Sequence, residues 1–145
     1  MSGELLIETR GQVEIATLNR PERLNALNEG LVEELNAYFG ALAERKEIRV
    51  VILRGAGRGF CAGLDIQEDR SSDETPVLRT LRTQTSIGNI YRKMRACPQP
   101  IIALGHGAAA GGGLSLLLAS DVRYAAPSFR CNAAYIRIGL GGCDM

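Results

Sequence analysis

The sequence predicts an α/β fold, and three features carry that prediction. A strand hairpin, an amphipathic helix and a β-branched strand follow one another at the start of the 145-residue chain. Two glycine-rich segments then each follow a short strand. Between and after them, further helix and strand patterns alternate rather than segregate, which is the signature of a mixed sheet covered by helices.

The elements follow in chain order. Leu5 to Arg10 and Val13 to Leu18 read as two strands about Gly11-Gln12, which fits a tight hairpin turn. Val13, Ile15 and Thr17 alternate with Glu14, Ala16 and Leu18, an imperfect two-residue period. Asn19-Arg20-Pro21 ends the second strand, because proline has no N–H to continue a ladder. Leu31, Leu35, Tyr38, Phe39 and Leu42 recur at three and four residues and predict a helix over 29–46. Glu33, Glu34, Glu44 and Arg45 are assigned to its solvated positions. Arg49 to Leu53 is a strand, and Gly55 to Gly63, GAGRGFCAG, is the first glycine-rich loop. Residues 67–75 are small and charged, as in an exposed loop.

Pro76 is placed to open a helix. Leu78, Leu81, Ile87, Ile90, Tyr91 and Met94 supply its apolar stripe, with Gly88 as its weak point. Cys97-Pro98-Gln99-Pro100 stops it. Ile101 to Leu104 is a buried strand, Gly105 to Gly113 a second glycine-rich turn, Leu114 to Ala119 a short buried helix, and Val122 to Ala125 a strand.

Composition narrows the function classes. Lysine and arginine total 17, aspartate and glutamate 16, and the formal charge is +1. That balance argues against a broad nucleic-acid surface. Hydrophobic residues at 46% supply a core and argue against disorder. Residues 101–119 carry no formal charge beyond any on His106, which raises the question of a membrane span. Five glycines with His106 and Ser115 inside the stretch, and Asp121 and Arg123 following without a basic flank, favour strand, turn and buried helix instead. The start, MSGELLIETRGQ, lacks the apolar core of a signal peptide. Cys61, Cys97, Cys131 and Cys143 form no C-x-x-C pair. They are expected to be reduced thiols in a cytoplasmic protein. With His106 the single histidine, no metal site is expected.

Each glycine loop, alone, is compatible with a mere turn, because glycine permits positive φ and close packing. Neither ends in Gly-Lys-Ser/Thr, so neither is a Walker phosphate loop. As a pair they suggest more. Each is expected between a strand and a helix start, where backbone N–H groups lack intrahelical partners. Two such groups facing one point would hold an oxygen that gains negative charge.

Three segments carry a family resemblance: LNRPERLNAL at 18–27, VVILRGAGRGFCAGLDI at 50–66, and PIIALGHGAAAGGGLSLLLASDVRYA at 100–125. They resemble the crotonase, or enoyl-CoA hydratase/isomerase, family over Leu5 to Met145. The resemblance implies a crotonase-like ββα spiral core, truncated, with residues 1–145 forming the N-terminal part of one domain. It implies an acyl-CoA substrate, with the thioester oxygen held by the N–H groups of Leu64 and Gly112. Ala62, Gly63, Asp65, Ile66 and Gly111 would frame that substrate site. Asp65 itself would start a helix or support a strand. Arg23 matches a position near the CoA entrance, or is a solvated surface arginine. CoA enters as substrate, and no metal or redox cofactor is implied. Relatives also imply a homotrimer or hexamer for a full-length chain, with no membrane or nucleic-acid partner.

The same resemblance exposes departures. Family hydratases use two glutamates to activate water; here those positions hold Ser115 and Tyr135. Both can hydrogen-bond a ligand, but neither is an ordinary carboxylate base. Asp144 falls near the catalytic aspartate of family isomerases, or is an exposed residue near a chain end. Residues 128–133, SFRCNA, depart from the small-basic-aromatic order of relatives. Family domains are about twice this length, so the chain is expected to be a truncated product, an incomplete record, or one that completes itself by association. The expected function is an enoyl-CoA hydratase/isomerase. The alternatives are a non-catalytic acyl-CoA-binding or subunit-partner protein, and an inactive fragment.

Overall fold

The computed structural model describes residues 3–67 and 75–139. Strands β1 (Leu5–Arg10) and β2 (Val13–Leu18) form the antiparallel hairpin, with Arg10 opposite Val13. Gly11 has φ +61°, which suits glycine at the first of two turn positions. Helix α1 (Glu29–Leu42) leads to β3 (Val50–Gly55), and α2 (Pro76–Ala96) to β4 (Ile101–Gly105). Then come β5 (Ala108–Ala110), α3 (Gly112–Ala119), β6 (Val122–Ala125) and β7 (Arg130–Asn132). Single 3₁₀ segments occupy Pro21–Arg23 and Ala134–Ile138.

The main sheet has the order β1-β2-β3-β4-β6, and every pairing after the hairpin is parallel. Its inner face presents Ala16, Leu18, Val51, Leu53, Ile101 and Ala103, all fully buried. Leu31, Leu35, Phe39 and Leu42 of α1 and Ile87, Ile90 and Met94 of α2 cover that face. The α1 stripe read from sequence makes the core. The α2 stripe does so only from Ile87 onward: Leu78 and Leu81, expected in it, are 55% and 62% exposed, because the first turns of α2 extend beyond the sheet face that α1 and α2 cover. A second, two-stranded parallel sheet joins β5 to β7.

Several expectations are corrected. Helix α1 ends at Leu42 rather than 46. Its last turns tighten into shorter bonds from Glu44 N to Ala41 O and Arg45 N to Leu42 O. Gln99 then donates to the carbonyls of Leu42 and Arg45, at 2.9 and 3.1 Å, and satisfies the helix end. Arg45 is not merely solvated: it bonds Glu14 at 2.6 Å. Glu34 accepts from the Leu5 N–H at 2.7 Å rather than facing water alone. Helix α2, in contrast, runs through Gly88 as the single helix expected there. The second glycine segment is not only a turn, since β5 lies inside it. The exposed loop expected at 67–75 falls mostly outside the described residues.

Candidate functional site

The site is built where the two glycine-rich segments meet. Cys61 pairs with Ala109 as an isolated bridge: the Cys61 N–H donates to Ala108 O at 3.1 Å, and Ala110 N–H to Cys61 O at 3.0 Å. Glycines make this approach possible. A Cβ on Gly113 would lie 2.1 Å from Cys61 O, and one on Gly63, at φ +91°, 2.6 Å from Ala110 O. Neither position has room for a side chain, so the sequence of small residues follows from backbone packed on backbone.

That packing disposes of most backbone donors but not all. Leu64 bridges to Leu27 through Leu27 N–H to Gly63 O at 2.7 Å and Asp65 N–H to Leu27 O at 3.0 Å. In this parallel pairing the N–H of Leu64 itself points away from Leu27. Gly112 is the first residue of α3, preceded by Gly111 at φ +48°, and no side chain caps that helix. Among the described residues, neither the Leu64 N–H nor the Gly112 N–H has a hydrogen-bond acceptor. Both residues line one pocket of about 230 Å³. Among the described residues, the expectation that both loops run into helix starts holds for α3 only. After Leu64 the chain turns at Ile66-Gln67, where Gln67 N–H donates to Asp65 Oδ1 at 3.1 Å.

Ala62, Gly63, Ile66, Gly111 and Tyr135 line the same pocket. Ser115 lies behind the lining, 2% exposed, and its hydroxyl shares a hydrogen bond with the buried Tyr135 hydroxyl at 3.2 Å. The positions that carry carboxylates in hydratases, by resemblance, are thus brought together here as a pair of hydroxyls. Tyr91 donates to Gly112 O at 3.0 Å and steadies the start of α3 from α2.

Arg23 and Asp65 sit elsewhere. Asp65 is 4% exposed and its carboxylate is held by Arg20 at 3.0 Å and Arg23 at 2.8 Å. Burial alone would raise its pKa, but hydrogen bonds from Arg23 and Arg20 outweigh it and hold the carboxyl below the usual range. Asp65 therefore starts no helix among the described residues; it ties the LNRPERLNAL segment to the first glycine loop. Arg23 is neither free nor simply solvated, since it also bonds Gln67 at 2.7 Å. Both line a groove of about 320 Å³ that shares Ala62, Leu64 and Ile66 with the pocket. Asp144 lies outside the described residues.

Leu27, Gln84, Ile87, Ala134 and Arg137 also line the pocket and were not singled out as site residues. Leu27 and Ile87 carry a core signal, and both are buried. Nothing in the pattern separates Gln84 or Arg137 from ordinary polar surface positions. Among the described residues no helix is long and apolar enough to cross a membrane, and no group of three metal-ligating side chains occurs.

Comparison with known proteins supplies an independent view. The family model for enoyl-CoA hydratase/isomerase matches residues 8–142. The 1,2-epoxyphenylacetyl-CoA isomerase of Escherichia coli is 37% identical over 126 residues, 86% of this chain and 48% of that protein. The short-chain-enoyl-CoA hydratase of Clostridium acetobutylicum is 32% identical over 138 residues, 94% of this chain and 51% of that protein. Among solved structures, an enoyl-CoA hydratase/isomerase from Mycobacterium paratuberculosis matches with a TM-score of 0.89 at 31% identity, over 99% of this chain and 57% of that one. The chain thus spans about half the length of the curated relatives it matches.

Proposed function

This chain belongs to the enoyl-CoA hydratase/isomerase family, and from that premise we propose that it acts on an acyl-CoA thioester by stabilising its enolate. The observation that carries the reading is the pair of unpaired N–H groups, Leu64 and Gly112, on one small pocket. In this reading the thioester oxygen sits between them. Negative charge grows on that oxygen as the enolate forms, so both bonds strengthen toward the transition state. One such donor is worth about 2.7–4 kcal/mol. The groove beside Arg23 and Arg58 takes part of the CoA moiety, with Ala62 to Ile66 as the wall between carrier and acyl group. CoA is then a substrate component, and the protein needs no metal or redox cofactor.

The reaction we infer is double-bond isomerisation rather than hydration. Hydration needs a carboxylate to hold and deprotonate water, whereas Ser115 and Tyr135 present hydroxyls already bonded to each other. Isomerisation consumes no water. A base removes a proton from C2 of a 3-enoyl thioester, the electron pair spreads onto the thioester oxygen as a dienolate, and a proton is returned at C4. Asp144, on the strength of the family resemblance, is the proposed proton carrier. The working enzyme is proposed to be a cytoplasmic homotrimer or hexamer.

Proton exchange tests this directly. Incubation with 3-hexenoyl-CoA in D₂O should give 2-hexenoyl-CoA with deuterium incorporated, while crotonyl-CoA is hydrated far more slowly. Asp144→Asn should remove turnover and leave thioester affinity intact. Fast hydration of crotonyl-CoA would overturn the isomerase reading. Among the described residues no carboxylate lines the pocket, and that favours one second reading, a non-catalytic acyl-CoA-binding protein. It predicts thioester binding with neither exchange nor isomerisation.

A further inference from the structure

Arg137 lies in the 3₁₀ segment Ala134–Ile138, two residues after Tyr135, and lines the same pocket as the Leu64 and Gly112 backbone. We propose that Arg137 makes this a pocket for anionic acyl groups, namely thioesters whose acyl end bears a carboxylate. The inference rests on the acyl-CoA reading above and adds the substrate class.

Three observations support it. The pocket is otherwise mostly apolar: Leu27, Ala62, Leu64, Ile66, Ile87 and Ala134 form much of its lining, and no described acidic residue does. The guanidinium of Arg137 has no hydrogen bond or ion pair with another described residue. Arg20, Arg23 and Arg45, in contrast, are all committed to carboxylates. Arg137 is exposed, so a neutral acyl tail leaves its guanidinium hydrated and gains nothing from it. A carboxylate on that tail supplies two acceptor oxygens in the planar geometry that arginine matches. The site therefore discriminates by rewarding the charged acyl group, with the uncharged one left indifferent to Arg137.

An anion could also come from the phosphates of CoA, and the experiment separates the two sources. Affinities of valeryl- and glutaryl-pantetheine, which carry no nucleotide phosphates, are measured by calorimetry beside those of valeryl- and glutaryl-CoA. All four are saturated and do not turn over. Glutaryl should bind about 10- to 100-fold tighter than valeryl on both carriers. Arg137→Gln should bring that ratio close to one and leave valeryl affinity little changed. Arg137 is exposed, so the variant is expected to fold, and an unchanged melting temperature checks that it does. Arg137→Lys should restore part of the ratio. A ratio near one in the unsubstituted protein overturns the proposal. So does a loss in Arg137→Gln that is equal for both acyl groups and seen only with CoA, because the residue then reads the carrier. Failure of every CoA thioester to bind overturns the acyl-CoA reading itself.

Discussion

Asn25 shows how much one side chain can organise. It sits at φ +55°, fully buried, within the segment LNRPERLNAL. Its amide donates to the carbonyls of Ala56, Gly59 and Phe60 at 2.9, 2.9 and 3.1 Å, and its carbonyl oxygen accepts from the Arg20 N–H at 2.8 Å. Asparagine tolerates the left-handed region better than most residues, and its two-sided amide serves both chain segments. Asn25→Ala should cost about 3–5 kcal/mol, because three carbonyls and one N–H lose a buried partner; a urea melt reads this. Glu14 is another such residue. It is fully buried on the inner face and is tied to Arg45, Tyr38 and Thr9. The thiols divide by burial. Cys61 is buried and burial pushes its pKa up to about 12, whereas Cys131 is exposed. Iodoacetamide at pH 8 should label Cys131 in the folded protein and reach Cys61 only after denaturation, as peptide mass spectrometry would show.

At the scale of elements, two glycines make opposite predictions. Gly88 lies within α2 and a Cβ there would meet nothing within 4 Å. Gly88→Ala should stabilise the protein by about 0.5–1 kcal/mol by stiffening the unfolded chain at a helical position. Gly63 joins the two glycine segments at φ +91°, with Ala110 O 2.6 Å from where a Cβ would stand. Gly63→Ala should cost about 2–3 kcal/mol from strained backbone and forced separation. It should also weaken thioester binding, because the same shift moves the Leu64 N–H away from Gly112. Thermal melts and calorimetry on the pair of variants check both signs. The glycine runs of the two segments thus have different physical reasons from the helical glycine, although the sequence writes them alike.

Across the whole molecule, the Arg20–Asp65–Arg23 cluster links the segment after the hairpin to the edge of the site. The pKa of Asp65 is depressed in the folded state by its two arginines, against the effect of burial. A carboxylate with a depressed folded pKa contributes stability above its unfolded value and loses it as pH falls through the folded value. The contribution of Asp65 is therefore complete above about pH 4 and fades below it. Asp65→Asn should melt lower than the unsubstituted protein at pH 7, and the gap should narrow as pH drops below about 4; a pH series of calorimetric melts measures it. A constant gap across that series would mean that the cluster does not titrate with folding. The outer face of the main sheet carries Leu104, Val122 and Tyr124 at the β4–β6 edge, with Tyr124 64% exposed. Among the described residues that is an apolar surface at the last strand of the sheet.

The sequence by itself determined the α/β class, the hairpin, the three helices and the strands of the main sheet, because alternation, helical spacing and proline stops are local. It also determined the family, through two glycine-rich segments whose residues have no freedom to vary where backbone touches backbone. The convergence of Leu64 and Gly112 on one pocket was implied by the resemblance, whereas the hydrogen bond between Ser115 and Tyr135 and the capture of Asp65 by two arginines were decided only in the tertiary structure. So were the short strands β5 and β7, which pair across more than twenty residues and have too few positions to show a period. Glu14 and Arg45 were legible as charges but not as partners, and Gln84 and Arg137 as polar residues but not as pocket walls. The physical reason is common to all of these: a local pattern reports which side of an element is apolar, whereas a site depends on which distant groups arrive at the same point.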